Sequence, residues 1–122
     1  MADTLRDFDG TAVLVCAADG DSLRGERDAT DVIGEAMYLG AAWVAVPVER
    51  LHDDFFRLRT RVAGDFLQKF VNYRLGVAVV GDVSPYTEAS TALRDFVRES
   101  NRGTHVWFVP DTEVLRLRLT GA

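Results

Sequence analysis

Arg57, Arg59, Thr60, Asp82, Ser84 and Tyr86 are the side chains of this 122-residue sequence best suited to hold a ligand or a partner. Guanidinium groups take carboxylates and phosphates in charge-assisted, often bidentate, hydrogen bonds. Thr60 sits between Arg59 and Arg61 at the expected start of a helix, where a bound phosphate or other anion would be electrostatically favoured. Asp82 and Ser84 would add a polar pair to the same pocket. Each also has a plainer structural reading: Thr60 as a helix N-cap, Asp82 and Ser84 as turn and cap residues.

No catalytic residue emerges. Cys16 lies in the apolar run AVLVCA and reads as a small buried hydrophobe, and as the only cysteine it permits no intrachain disulfide. His105 begins a strand far from the serines of the candidate site, so no Ser-His-Asp or Cys-His arrangement forms. His52, Asp53 and Asp54 are adjacent, which does not bring all three onto one metal. There is no GxGxxG and no GxxxxGK[ST] loop. The expectation is therefore no metal and no cofactor.

The elements that would position these residues follow from hydrophobic period and turn chemistry. Residues 4–8 and 11–17 read as two strands joined by Asp9-Gly10, a hairpin signal. Residues 19–27 (DGDSLRGER) are polar with two glycines and read as a loop. A helix follows, with Asp28 as its cap, Asp31 in its first turn, an apolar face of Val32, Ile33, Ala36, Met37 and Leu39, and Gly40 as its stop. AAWVAVPV (41–48) is a strand buried on both faces, with Pro47 marking its end or an edge. Residues 49–59 are a charged connection holding Phe55 and Phe56, with room for a helical turn capped by Asp53 or Asp54.

The next helix carries Val62, Phe66 and Phe70 beside Ala63, Leu67 and Val71, a stripe two residues wide. Asp65 and Lys69 face each other at i,i+4. Gly64 costs roughly 1 kcal/mol in a helix interior, which implies close backbone packing there. VAVV (77–80) and VWFV (106–109) are buried strands. Between them Ser84-Pro85 opens a helix faced by Ala89, Ala92, Leu93, Phe96 and Val97. Residues 112–119 fit a helix capped by Asp111 or, through their Leu-Arg alternation, a strand. Trp43, Trp107, Phe55 and Phe56 read as core. Strands alternating with helices give an α/β fold, an N-terminal β-hairpin followed by a mixed, mostly parallel sheet, in one domain over 1–122.

Ligands of open α/β sheets bind beyond the carboxyl ends of the strands. That end gathers 19–21, 52–54, 57–60, 82–86 and Asp111, and brings Arg59-Thr60 to Gly81-Asp82. Asn72-Tyr73-Arg74 and 99–103 fall at the opposite end and read as helix stops. The net charge is −5, from 14 basic and 19 acidic residues. That excludes a nonspecific nucleic-acid binder and disfavours anionic membranes. No apolar run approaches the roughly 20 residues of a membrane span. The first ten residues lack a signal peptide's apolar core, so the expected location is cytoplasmic.

The stretches FLQKFVNYR, VGD and LRDFVRESNRG resemble a family of short bacterial proteins classed as a domain of unknown function, with the likeness spanning residues 54–110. The order of elements resembles the STAS fold of anti-sigma-factor antagonists. Those proteins carry an Asp-Ser-Ser-Gly-like stretch where this chain has Leu58-Arg59-Thr60-Arg61. The resemblance implies that Thr60 stands for the phosphorylated hydroxyl, although the acid and the glycine are absent and arginines flank the threonine. The reading that follows is a non-catalytic regulatory module binding another protein, with self-association through helix faces or an edge strand as a further possibility. The alternative is a small-molecule or nucleotide-binding domain, or an enzyme, using the same surface.

Overall fold

Asp9 and Gly10 both take positive φ, 53° and 102°, the paired left-handed turn that closes a two-residue hairpin. They join β1 (Thr4–Phe8) to β2 (Thr11–Val15) with Phe8 opposite Thr11. The computed structural model describes residues 3–121; Met1, Ala2 and Ala122, which the single-domain expectation includes, lie outside the described residues. After the hairpin come α1 (Glu26–Leu39), β3 (Trp43–Pro47), α2 (Val62–Asn72), β4 (Gly76–Val80), α3 (Ser84–Thr87), α4 (Thr91–Arg102), β5 (Val106–Val109) and α5 (Thr112–Thr120).

The five strands form one sheet in the order β1-β2-β3-β4-β5, antiparallel at the hairpin and parallel thereafter. Parallel neighbours in sequence order, each joined by a right-handed crossover, put every connecting helix on the same face. That face holds Leu14, Val44, Val46, Val77, Val79 and Phe108 from the strands. Against them lie Ala29, Val32, Ile33 and Ala36 of α1, Ala63, Phe66, Leu67 and Phe70 of α2, and Leu93 of α4. The intervening strand residues Phe8, Val13, Ala45, Ala78, Trp107 and Val109 point to the other face, which α5 covers with Leu115.

Small residues in mid-sheet make room for the indoles on that second face. Trp43 pairs with Gly76 in register and lies across it, and its ring stacks on Trp107 at 4.3 Å. A Cβ on Gly76 would clash with the Trp43 indole. Trp107 Nε1 donates to the Gly103 carbonyl at 2.8 Å, and the Arg118 guanidinium lies 4.1 Å from the Trp107 ring.

Several expectations need correction. α1 begins at Glu26 behind Gly25, two residues before the expected cap, and Asp28 instead accepts from the Arg24 N–H at 2.7 Å. Met37 and Leu39 are exposed, and Ala29 takes their place in the core. Gly64 faces open space, so no close approach explains it. Lys69 reaches Glu26 of α1 at 3.5 Å, tying α1 to α2 where an Asp65 pair was expected. The connection after β3 holds three 3₁₀ turns, Val48–Arg50, Asp53–Phe56 and Leu58–Thr60, and the cap of the second is His52, whose Nδ1 accepts from the Asp54 N–H at 3.2 Å. Pro47 ends a central strand. Residues 112–120 are helical, with Asp111 Oδ1 accepting from the Val114 N–H at 2.9 Å.

Replacing Gly76 by Ala should lower the unfolding free energy by about 1–3 kcal/mol, the usual cost of overpacking. The urea midpoint measures it, and an unchanged midpoint would contradict the Trp43–Gly76 packing.

Candidate functional site

The connection after β3 is anchored before it reaches the candidate residues. Leu23 and Leu51 form an isolated parallel bridge, with the Leu23 N–H donating to the Arg50 carbonyl at 2.6 Å and the His52 N–H to the Leu23 carbonyl at 3.1 Å. Phe55 then turns inward and meets Phe66 of α2 edge to face, its ring centroid 5.9 Å away. Phe56 turns toward the β4–α3 segment and stacks on Tyr86 at 3.9 Å with the rings 7° from parallel. That stack is the hinge point of the site: it fixes where the two loops meet at the carboxyl end of the sheet.

Above the stack opens a groove of about 700 Å³. Arg57, Leu58 and Arg59 form one bank, and Pro85, Tyr86 and Ala89 belong to the other. The Arg57 guanidinium lies 3.7 Å from Asp54 in an exposed pair, while Arg59 forms no ion pair among the described residues. Exposed pairs of this kind contribute about 0–1 kcal/mol, so both cations remain available to a ligand.

Thr60 is exposed but turned to its own backbone. Its Oγ1 lies 2.7 Å from the Asp54 and Arg57 carbonyl oxygens and accepts from the Val62 N–H at 3.3 Å. The N-cap position of α2 is Arg61, in the left-handed region at φ 64°. Thr60 therefore stitches the turn that leads into α2, close to the expected cap role yet one residue earlier.

Gly81 opens the other side of the site. It has φ 138°, and a Cβ there would come within 2.8 Å of the Val48 side chain. Asp82 follows, and its Oδ1 accepts from the Ser84 N–H at 2.9 Å. The Ser84 side chain and then its N–H hold the Asp82 carboxyl below the ordinary aspartate value. Ser84 is thus not the expected cap: the N-cap position of α3 is Val83, without a side-chain cap bond, and Asp82 closes a turn onto the Ser84 N–H. After one turn the chain breaks and restarts as α4, whose cap is Ser90, with Oγ accepting from the Leu93 N–H at 3.1 Å.

Asp82 and Ser84 line a second groove, of about 730 Å³, that runs along α4 past Arg94, Arg98 and Arg102 over a floor of Val97 and Phe108. The short helix α3 stands between the two grooves. Arg57, Arg59 and Tyr86 are brought together; Asp82 and Ser84 lie on the far side of α3; Thr60 lines neither groove. The expected meeting of Arg59-Thr60 with Gly81-Asp82 in one pocket does not occur.

Sequence reasoning missed the arginine row of α4. Its signal was present as arginines at i, i+4 and i+8 in LRDFVRESNR, but the last of them was read only as a helix stop. The residues expected at the far end behave as stops: Arg74 has φ 57°, and Arg102 pairs with Glu99 at 3.3 Å. Cys16 is buried, and burial, with Asp3 beside it, pushes its thiol up to about 12. No helix among the described residues is long and apolar enough to cross a membrane.

A family model described as a domain of unknown function, DUF4180, matches residues 8–119. This bears out the resemblance to an uncharacterised domain family. No curated protein and no solved structure matches the chain.

Two outcomes follow from this chemistry. The Asp82 carboxyl should titrate, by NMR, below the ordinary 3.8. Ser84→Ala should move it part of the way back, since the N–H bond survives. A depressed carboxyl contributes to stability above its unfolded value, and that contribution is lost as pH falls through the folded value. Cys16 should resist iodoacetamide in the native protein at neutral pH and react at the rate of unfolding; rapid native labelling would contradict its burial.

Proposed function

We propose that this chain, which belongs to the DUF4180 family, is a bacterial, cytoplasmic, STAS-like module that acts by binding another protein and performs no catalysis itself. The observation that carries the reading is the groove between the two loops at the carboxyl end of the sheet. It has an aromatic base in the Phe56–Tyr86 stack and available cations in Arg57 and Arg59. Aromatic and arginine side chains around a recess are the residue types that dominate protein interfaces. The STAS-like part of the reading is supported by the hairpin start, the sequential strand order and the terminal helix.

Thr60 is the proposed control point. Its hydroxyl bonds hold the turn between Asp54 and Val62, and that turn presents Arg57 and Arg59. A phosphate would remove the hydroxyl's donor and place about −2 charge between Arg59 and Arg61. The same reading predicts that the partner leaves when Thr60 is modified.

The test compares the wild-type chain with Arg57→Glu/Arg59→Glu and Thr60→Glu as baits in the native cytoplasm. One partner should be recovered in stoichiometric amount by the wild type alone, and purified partner and chain should re-form the complex with at least a tenfold loss of affinity in either variant, about 1.4 kcal/mol. Equal recovery by all three baits, or none by any, would sink the reading. A thermal-shift screen of nucleotides and small anions addresses the small-molecule alternative. A ligand at 100 times its dissociation constant would add about 2.7 kcal/mol of stability.

A further inference from the structure

The second groove has a chemistry of its own. One bank is the outer face of α4, where Arg94, Arg98 and Arg102 recur every four residues. Its floor is apolar, with Val97, Phe108 and Pro110 among its lining. Three guanidiniums thus line one trough, in a chain of net charge −5, with Asp82 at its α3 end. Arg94 makes no ion pair among the described residues. Arg98 and Arg102 pair only with Asp95 and Glu99 of their own helix, in exposed contacts at 2.5 and 3.3 Å. Such i,i+3 pairs are worth a few tenths of a kcal/mol and exchange readily for an incoming carboxylate.

The spacing selects the shape of the anion. Four residues of helix rise about 6 Å, so the three arginines span roughly 12 Å. Alternate side chains of an extended chain lie about 6.6–6.8 Å apart, so three of them span roughly 13 Å. A small anion would engage one arginine, whereas an extended peptide with an acid at every second position meets all three. Its intervening side chains then face away from the arginines, toward the trough.

Strand addition is disfavoured as the mode. β5 is an edge strand, but the N–H of Phe108 already donates to Asn101 Oδ1 at 2.7 Å, and Pro110 has no N–H. Recognition must come from side chains.

We propose that the groove between α4 and β5 binds an extended segment of a partner protein in which acidic and apolar residues alternate. This goes beyond the Phe56–Tyr86 groove, and either assignment can fail without the other. Asp82, at one end, turns the acidic row away from the α3 wall, so the carboxylates lie along Arg94 to Arg102.

The probe is a fluorescein-labelled peptide with three Glu residues at alternate positions separated by Val, followed by anisotropy. The intact chain should bind it with a Kd below about 1 mM at low salt, weakening as salt rises. Arg98→Glu should weaken it at least about tenfold and Arg94→Ala roughly threefold. Both positions are exposed, so thermal melts should show intact folding. Arg57→Glu/Arg59→Glu should leave peptide binding unchanged. A peptide with Ser in place of Val should bind more weakly. The proposal is overturned if the Ser peptide binds as tightly, if Arg98→Glu has no effect, or if no binding is seen up to about 1 mM. It is equally overturned if light scattering shows a dimer of the wild-type chain that Arg98→Glu dissolves, since the occupant is then a second copy.

Discussion

Arg50 is the buried charged residue on which the carboxyl end of the sheet depends, at 7% exposure. Taking a guanidinium out of water costs several kcal/mol unless its donors are met. Here Nε donates to the Asp21 carbonyl at 2.7 Å, and Nη1 donates to the Ala17 carbonyl at 2.9 Å and to Asp3 Oδ1 at 3.3 Å. Asp3 in turn accepts from the Ala17 N–H at 2.8 Å. The guanidinium occupies the space that a side chain at position 20 would need, so only glycine fits there. One side chain thereby locks the residues before β1, the loop after β2 and the turn after β3. Substitution by an apolar residue of similar length would remove one donor each from two carbonyls and a carboxylate.

From that fixed point the rest of the site follows by short range. The connection after β3 passes through Arg50, turns Phe55 into the helical layer and offers Phe56 to Tyr86. The segment after β4 is pressed against Val48 through Gly81. Two loops held at both ends leave one groove between them, and a second lies beyond α3 against α4 and β5. Each recess pairs arginines with an apolar base, in a chain that is acidic overall. A third recess, beside α1, is lined instead by Asp3, Asp21, Asp28, Asp31 and Glu35 around Arg50.

The sheet was legible because its strands are buried on both faces. AWVAVP, VAVV and VWFV leave no amphipathic alternative, and the hairpin turn has a backbone requirement that Asp-Gly meets. Helix α2 was legible for the same reason at its own period. The misread positions share another cause. Met37 and Leu39 are apolar yet lie where α1 outruns the layer it covers. The Leu-Arg alternation of α5 satisfies a strand and a helix alike, and what decides between them is the Trp107 and Leu115 packing on the second face. Ser84 was read as the cap of a long helix because nothing local reveals that Ser90 begins it again. The site suffered most from that break. Arg59 and Asp82 sit at the same end of the sheet, as the strand order demands, but α3 rises between them.

The order of the strands has a further consequence for how this molecule comes to exist. Each strand pairs only with those made just before and just after it, and the crossover helices dock on strands already present. A sheet of that kind can assemble in the direction of synthesis, one βα unit at a time, without waiting for a distant segment. α5 reaches back much farther, through Arg116 to Asp9 at a separation of 107 residues, against 47 for Arg50 to Asp3. Until it docks, the face of Phe8, Ala45, Ala78 and the two tryptophans stands open. α5, which follows every strand in the chain, is therefore the element that closes this face.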